Sequence, residues 1–334
     1  VLHTPADSYL QRALYIAQQQ KDLAAQADCL NSLGVVAHYQ ADYDVAFYFF
    51  QEAIELYQVL GDQVGLGNTL TNLAEIHYDT GHLMLALKDC NTALSMHQAI
   101  GDRAGEALAQ LNMGQIRRTC GDYATADTLF KSALKTYELI EDRRHEARCL
   151  YNLGFLYCRL EDYPQALAYL SRAKVILEEL DDPWALGRAL NYQAWTLYYQ
   201  EDYKQARSVI ETSLRLKHET PQRVAVIEDL ICLAKITLAR RDLSLAETCV
   251  RHILSFVENS GVKGVEHPVQ LYLTAHQVLQ LNCQPDQAQA VLVAGKEYLS
   301  AQLSRIDDPV LKYAYLHAVP ENKTLYELGN EKAL

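Results

Sequence analysis

Along this chain, apolar and small residues recur with the spacing of helix faces, and the faces come in pairs that repeat every 40 residues. Leu30, Leu33 and Gly34 stand at i, i+3 and i+4, one stripe on one helix. Ala46, Phe50 and Ala53 stand at i, i+4 and i+7 on the next. The small residue of the first helix returns at Ala74, Gly114, Gly154, Ala194 and Ala234. Each is followed twelve residues later by an alanine, from Ala46 through Ala86, Ala126, Ala166 and Ala206 to Ala246. A single globular core needs no such period. Stacked helix pairs do, because each pair buries its apolar face only against its neighbours. The pattern predicts an all-α fold, a solenoid of antiparallel helix pairs.

The polar punctuation agrees with that period. Within a pair the turn reads Ala41-Asp42-Tyr43, then Gly121-Asp122-Tyr123, Glu161-Asp162-Tyr163 and Glu201-Asp202-Tyr203. The aspartate suits the N-cap of the second helix, and the tyrosine its first apolar anchor. Between pairs the chain reads Leu60-Gly61-Asp62, Ile100-Gly101-Asp102, Ile140-Glu141-Asp142 and Leu180-Asp181-Asp182, with Thr220-Pro221 taking that place before the sixth pair. Residues 1–20 are expected to be the second helix of a truncated repeat, because Ala6, Leu10 and Ala13 match Ala46, Phe50 and Ala53; the chain reads as a piece of a larger protein. Six pairs are expected over 21–262, a degenerate seventh over 263–305, and capping helices opened by Pro309 and Pro320 over 306–334.

Composition narrows the partners. The chain has 334 residues and a formal net charge of −12, without a Lys/Arg run, which disfavours nucleic acid and anionic membranes. Its eight cysteines form no CxxC pair and mostly sit in apolar helical runs, so they read as small buried hydrophobes in a reducing, cytoplasmic setting. No uninterrupted apolar stretch is long enough to span a bilayer. There is no phosphate-binding loop: Gly261-Val262-Lys263-Gly264 has the wrong spacing and no Ser or Thr after the lysine. The eleven histidines include no H-E-x-x-H, and His77 and His82 are split across the helix surface. The chain is therefore expected to be no enzyme and to need neither metal nor cofactor.

The small-residue signature resembles the tetratricopeptide repeat, which implies that the pairs wind as a right-handed superhelical solenoid. It is met by Gly34/Ala46/Ala53, Ala74/Ala86/Ala93, Gly114/Ala126/Ala133 and Gly154/Ala166/Ala173, with Ser213 and Ile253 at the last position in the fifth and sixth units. The family's usual period is about 34 residues, so each unit here is longer, which lengthens its helices. In that family the first helices line a concave face that binds protein segments. By register, the resemblance assigns to this face Asn31, His38 and Tyr39, with Val35, in the first unit, and Asn72, Glu75 and Tyr78, with Thr71, in the second. The third unit gives Asn112, Gln115 and Arg118, with Leu111, and the fourth Tyr151, Asn152, Phe155 and Arg159. The fifth gives Asn191, Tyr192, Trp195, Tyr198 and Tyr199. Aromatic, Arg and Asn side chains in one groove suit a protein or peptide partner; packing of repeat on repeat would use the same tyrosines, and Asn72, Asn112 and Asn152 could bond backbone between repeats. Members that clamp a chaperone's C-terminal carboxylate use lysine at the position of Asn31, Thr71, Leu111, Tyr151 and Asn191. None is basic, so that ligand is not expected.

The tail narrows the resemblance further. Arg305-Ile306-Asp307-Asp308-Pro309 and Tyr315 through Asn322 resemble the end of arrays that follow the ATPase module of STAND proteins, signal transduction ATPases with numerous domains. Tyr315, His317 and Ala318 depart from that family's usual Phe-Leu-Glu-Asn-Val-Pro ending. The resemblance implies a sensor domain that helps hold an adjacent ATPase domain closed until a protein or peptide inducer binds. Two alternatives stay open: a self-contained adaptor binding extended peptides, and self-association through an uncapped end.

Overall fold

The structure is a computed structural model that describes residues 5–218 and 223–328. Every element among the described residues is a helix. The first compact unit, up to Ile116, holds α1 (Pro5–Gln20), α2 (Leu23–Tyr39), α3 (Tyr43–Leu60), α4 (Gln63–Asp79), α5 (Leu83–Ile100) and most of α6 (Arg103–Thr119). The second, from Arg117, continues with α7 (Tyr123–Leu139), α8 (Arg143–Arg159), α9 (Tyr163–Glu179), α10 (Pro183–Tyr199), α11 (Tyr203–His218), α12 (Arg223–Ala239) and α13 (Leu243–Ser260). It closes with α14 (Pro268–Leu281), α15 (Pro285–Arg305), α16 (Pro309–His317) and α17 (Pro320–Glu327). Consecutive helices pack as pairs, α2 on α3, α4 on α5, α8 on α9, α10 on α11, α12 on α13 and α14 on α15.

Local chemistry sets these boundaries. The carboxylates of Asp42, Asp122, Asp162 and Asp242 accept from backbone N–H groups three residues on, capping the second helices. Asp22, Asp62, Asp142 and Asp182 do the same for first helices. The pairs closed by α3, α5, α7 and α9 end in a left-handed residue. Gly61 and Gly101 fill that place at φ 70° and 72°, whereas Glu141 and Asp181 accept it at 58° and 50°. The Thr220-Pro221 turn lies outside the described residues.

Inside a pair, the small residue makes room for a large neighbour. A Cβ at Gly34 would stand 2.5 Å from the Phe50 ring, and one at Gly154 2.5 Å from Leu170. Between pairs, a side chain near the end of the second helix wedges between successive first helices at three places. Tyr57 lies against Gly65 and donates its hydroxyl to Asp28 at 2.6 Å. The fully buried His97 lies against both Gly67 and Gly105. In the second unit Lys217 fills the equivalent place against Gly187. Its ammonium donates to Asp229 at 2.8 Å, and Asp229 also accepts from Asn191 and Ser213, so the buried pair is fully bonded.

The tail lies on the second unit. Asp308 caps α16, and Pro309 and Pro320 open α16 and α17 at their first turns. α17 packs on α14 and α15 through Leu325, which is fully buried. The tail also returns to much earlier sequence: the Tyr123 hydroxyl donates to the Ala318 carbonyl at 3.2 Å, and Gly121 faces the backbone of Ala314.

Candidate functional site

In the first unit the first-helix face is partly open. Tyr39 is exposed, while Asn31, His38, Asn72, Glu75 and Tyr78 are half-buried. Asn72 donates to Asn31 across the α2–α4 contact at 3.1 Å, and Thr69 donates to the same oxygen at 3.2 Å. His38 Nε2 meets the Asp79 carboxylate at 2.7 Å with Glu75 at 3.9 Å on its other nitrogen, which fixes the ring beside Tyr39. Asn112 and Gln115 on α6 are buried.

In the second unit the same face is largely covered by the chain's own later segments. Arg118 donates to Asn152 at 3.0 Å and forms an ion pair with Glu266, which lies 148 residues further on, between α13 and α14. Its guanidinium lies over the Phe155 ring at 4.8 Å and near that of Tyr192 at 5.6 Å, and these two rings stack at 4.3 Å. Tyr192 donates to Glu266 at 2.7 Å. His267 stands edge-on to Phe155, and Glu228 on α12 accepts from the backbone N–H groups of Glu266 and His267. A second centre lies at Arg159, which makes two hydrogen bonds to the carboxylate of Glu321 on α17; Tyr199 stands 3.4 Å from both partners.

The electrostatics follow from burial and pairing. Burial pushes the Glu266 carboxyl up, but Arg118, His267 and Arg188 outweigh it and hold the group at about 2. Burial likewise opposes the charge on Glu321, and Arg159 outweighs it, again to about 2. Burial first and Glu266 second raise the Tyr192 phenol well above its ordinary value. Lys235, near Tyr198, is lowered by burial despite the pull of Glu321. Both acids are anionic at neutral pH, each seated on an arginine; aromatic rings surround the Arg118 pair, and the Tyr199 hydroxyl adjoins the Arg159 pair.

Of the expected partner-facing residues, Arg118, Tyr151, Asn152, Phe155, Asn191, Tyr192 and Trp195 are buried in this unit, while Arg159, Tyr198 and Tyr199 are half-buried. Tyr151 and Trp195, at 2% and 4% exposure, are packing residues, so truncating them perturbs the core. Asn152 bonds Arg118 and the Arg148 carbonyl, and Asn191 bonds Asp229, roles that hold the array together. Sequence reasoning missed Glu228, Lys235, Glu266, His267 and Glu321. A small recess remains, bounded by Trp184, Arg188, Tyr192, Glu228 and Glu266. Among the described residues no cluster of three or more His, Cys, Asp or Glu could hold a metal ion, and no helix is long and apolar enough to cross a membrane.

Comparison with known proteins agrees with this architecture. Residues 3–58, 65–139 and 145–219 match the family model described as Tetratricopeptide repeat. No curated protein sequence matches the chain. Among solved structures, the chain is similar to the Rap conjugation gene regulator of the plasmid pLS20 in complex with the Phr* peptide, with 12% identity and a TM-score of 0.69 over 88% of this chain and 80% of that one. It is similar to NprR in complex with its cognate peptide NprX, with 13% identity and a TM-score of 0.65 over 98% and 97%. It also resembles aspartyl phosphate phosphatase F from Bacillus subtilis, with 13% identity and a TM-score of 0.60 over 84% and 73%.

Proposed function

Because the chain belongs to the tetratricopeptide repeat family, we propose that it is a protein-interaction domain whose first-helix face receives a segment of a partner protein or peptide. One observation carries this reading. Arg118 and Arg159, on first helices, each hold a carboxylate supplied by a segment about 150 residues distant, so this face has the chemistry to accept inserted chain. Two solved structures of similar fold hold peptides, which supports the same reading.

At a finer level, the domain is the sensor of a cytoplasmic signal-transduction ATPase and does no chemistry itself. Its tail, from Arg305 to Asn322, resembles the end of such sensors. The inducer binds the array, and the array releases a neighbouring nucleotide-binding module that it otherwise holds closed. Moving such an equilibrium from mostly closed to mostly open takes about 5.5 kcal/mol of differential affinity. A macromolecular interface supplies that more readily than a metabolite touching two or three residues.

The exposed residue of the face is Tyr39, in the first unit, on the same face as the half-buried Glu75 and Tyr78. The test is retention of a protein from host or pathogen lysate on the immobilised chain, with Tyr39→Ala, Glu75→Lys and Tyr78→Ala combined as the control. A protein held by the wild type and lost by the folded variant supports the reading. Equal retention by both would remove it.

A further inference from the structure

We propose that α17 is a built-in occupant of a helix-binding cradle in the second unit, and that the partner entering there is a helix presenting a glutamate four residues before a leucine. The inference deepens the reading above and rests on it.

Glu321 and Leu325 stand at i and i+4 and so share one face of α17. Glu321 meets Arg159 and Tyr199, while Leu325 is buried where α14 and α15 meet, 3.4 Å from the point a Cβ on Gly295 would occupy. On the opposite face Lys323, Thr324, Tyr326 and Glu327 are exposed. This is the arrangement of a guest helix in a groove, one apolar anchor and one charged anchor with a solvated back.

Few apolar contacts hold the guest. Across α16 and α17 only Leu311, Tyr315, Asn322 and Leu325 are buried, whereas Val310 and Tyr313 are 76% and 69% exposed. Segments with few buried apolar contacts open locally without unfolding the rest. Asn322 donates to the Tyr315 carbonyl at 2.7 Å, which ties the two short helices into one movable piece.

The cradle, by contrast, is built into the array. Arg159 closes α8, Tyr199 closes α10, and Gly295 sits in α15 against Tyr272 of α14. An arginine left without its carboxylate in this place is costly, so the site stays filled. Exchange is cheap because an incoming glutamate rebuilds the same pair. The tail's advantage is its tether, an effective concentration on the order of millimolar for a short linker. A partner helix displaces it when its own concentration, relative to its Kd, exceeds that ratio for the tail.

The test uses the full chain and a fluorescent synthetic peptide of residues 308–328, read by anisotropy. The wild-type chain should bind this peptide weakly because its own tail is seated. Glu321→Gln loosens that tail and should bind the wild-type peptide at least tenfold more tightly. Adding Arg159→Ala should abolish the gain, and a peptide carrying the same Glu321→Gln change should bind at least tenfold more weakly. A folded Glu321→Gln chain that gains no binding, or whose binding ignores Arg159→Ala, would overturn the proposal. Should that variant fail to fold, hydrogen exchange on the wild type decides: amides of residues 309–327 should exchange well before those of α14 and α15, and joint exchange would sink the idea. Partner retention through Tyr39, Glu75 and Tyr78 is a separate readout, so either reading can fail alone.

Discussion

Replacing Glu321 by Gln preserves its size and hydrogen-bonding shape while removing one charge, and the structure sets how the cost should vary with pH. The carboxyl has an ordinary value of 4.5 and is held at about 2 in the folded chain. Its folded value is depressed, so its stabilising contribution is present above about pH 4.5 and is lost as pH falls through about 2. The separation of about 2.5 pH units corresponds to roughly 3 kcal/mol at neutral pH, of which roughly 2 kcal/mol disappears between pH 6 and pH 3. The side chain is only 13% exposed, so solvent screening takes little from that figure. The Gln variant has no such group to titrate. The difference between the two proteins in α17 opening free energy should therefore shrink by roughly 2 kcal/mol across that range. Arrays of repeats need not unfold in one step, so the readout is hydrogen exchange of α17 amides, corrected for intrinsic rates. Glu266 and His267 are present in both proteins and largely cancel. A difference that stays constant from pH 6 to pH 3 would refute the assigned Arg159–Glu321 pairing.

Three further outcomes are expected. Gly121→Ala must adopt φ 81° and bring its Cβ to 2.8 Å from the Ala314 carbonyl, so it should cost more than the roughly 1 kcal/mol of left-handed strain alone and should speed exchange in α16; Gly61→Ala, with no atom nearby, should cost only the strain in thermal melts. Lys217→Met strands the buried Asp229 and should lower stability by roughly 3–5 kcal/mol, with partial recovery on adding Asp229→Asn, as measured by urea unfolding. Under native conditions a thiol reagent should label Cys283 quickly and Cys29 slowly, because the other six are buried; burial pushes Cys120 to about 12 and Cys158 and Cys249 to about 11, as mass spectrometry of labelled peptides can check.

The helix pairs were legible because every signal for them is local. Gly34 and Ala46, the aspartate caps and the 40-residue period each act within a few turns of chain, and the helices form at that spacing. The surface chemistry was less legible. Register identifies which residues of α8 and α10 point off the first-helix face, and Arg159 and Tyr199 do so. Register carries no information on whether a distant segment covers them. Glu266 and Glu321 lie 148 and 162 residues from their arginines, in a loop and a short helix without periodic neighbours. The available signal was Arg118 and Arg159, two arginines among the mostly aromatic and amide residues of this face, each needing an anion somewhere. Tyr151 and Trp195 show the same limit in reverse, since register puts them on the face while the rings beside them, Tyr192 for Tyr151 and Tyr198 and Tyr199 for Trp195, pack against them and they are buried.

The return of the tail to Tyr123 and Arg159 also bears on how this chain can evolve. An open repeat array can gain or lose a unit by duplication or deletion, because each unit touches only its neighbours. Here four helix pairs, beginning with α8 and α9, lie between Tyr123 and the Ala318 carbonyl that it meets. Removing the first of them would delete Arg159 itself, and adding or removing any other would carry Glu321 away from Arg159 and leave both without a counterion. Copy number is thus free to drift only ahead of Tyr123; beyond it, the count is locked by the contact that closes it.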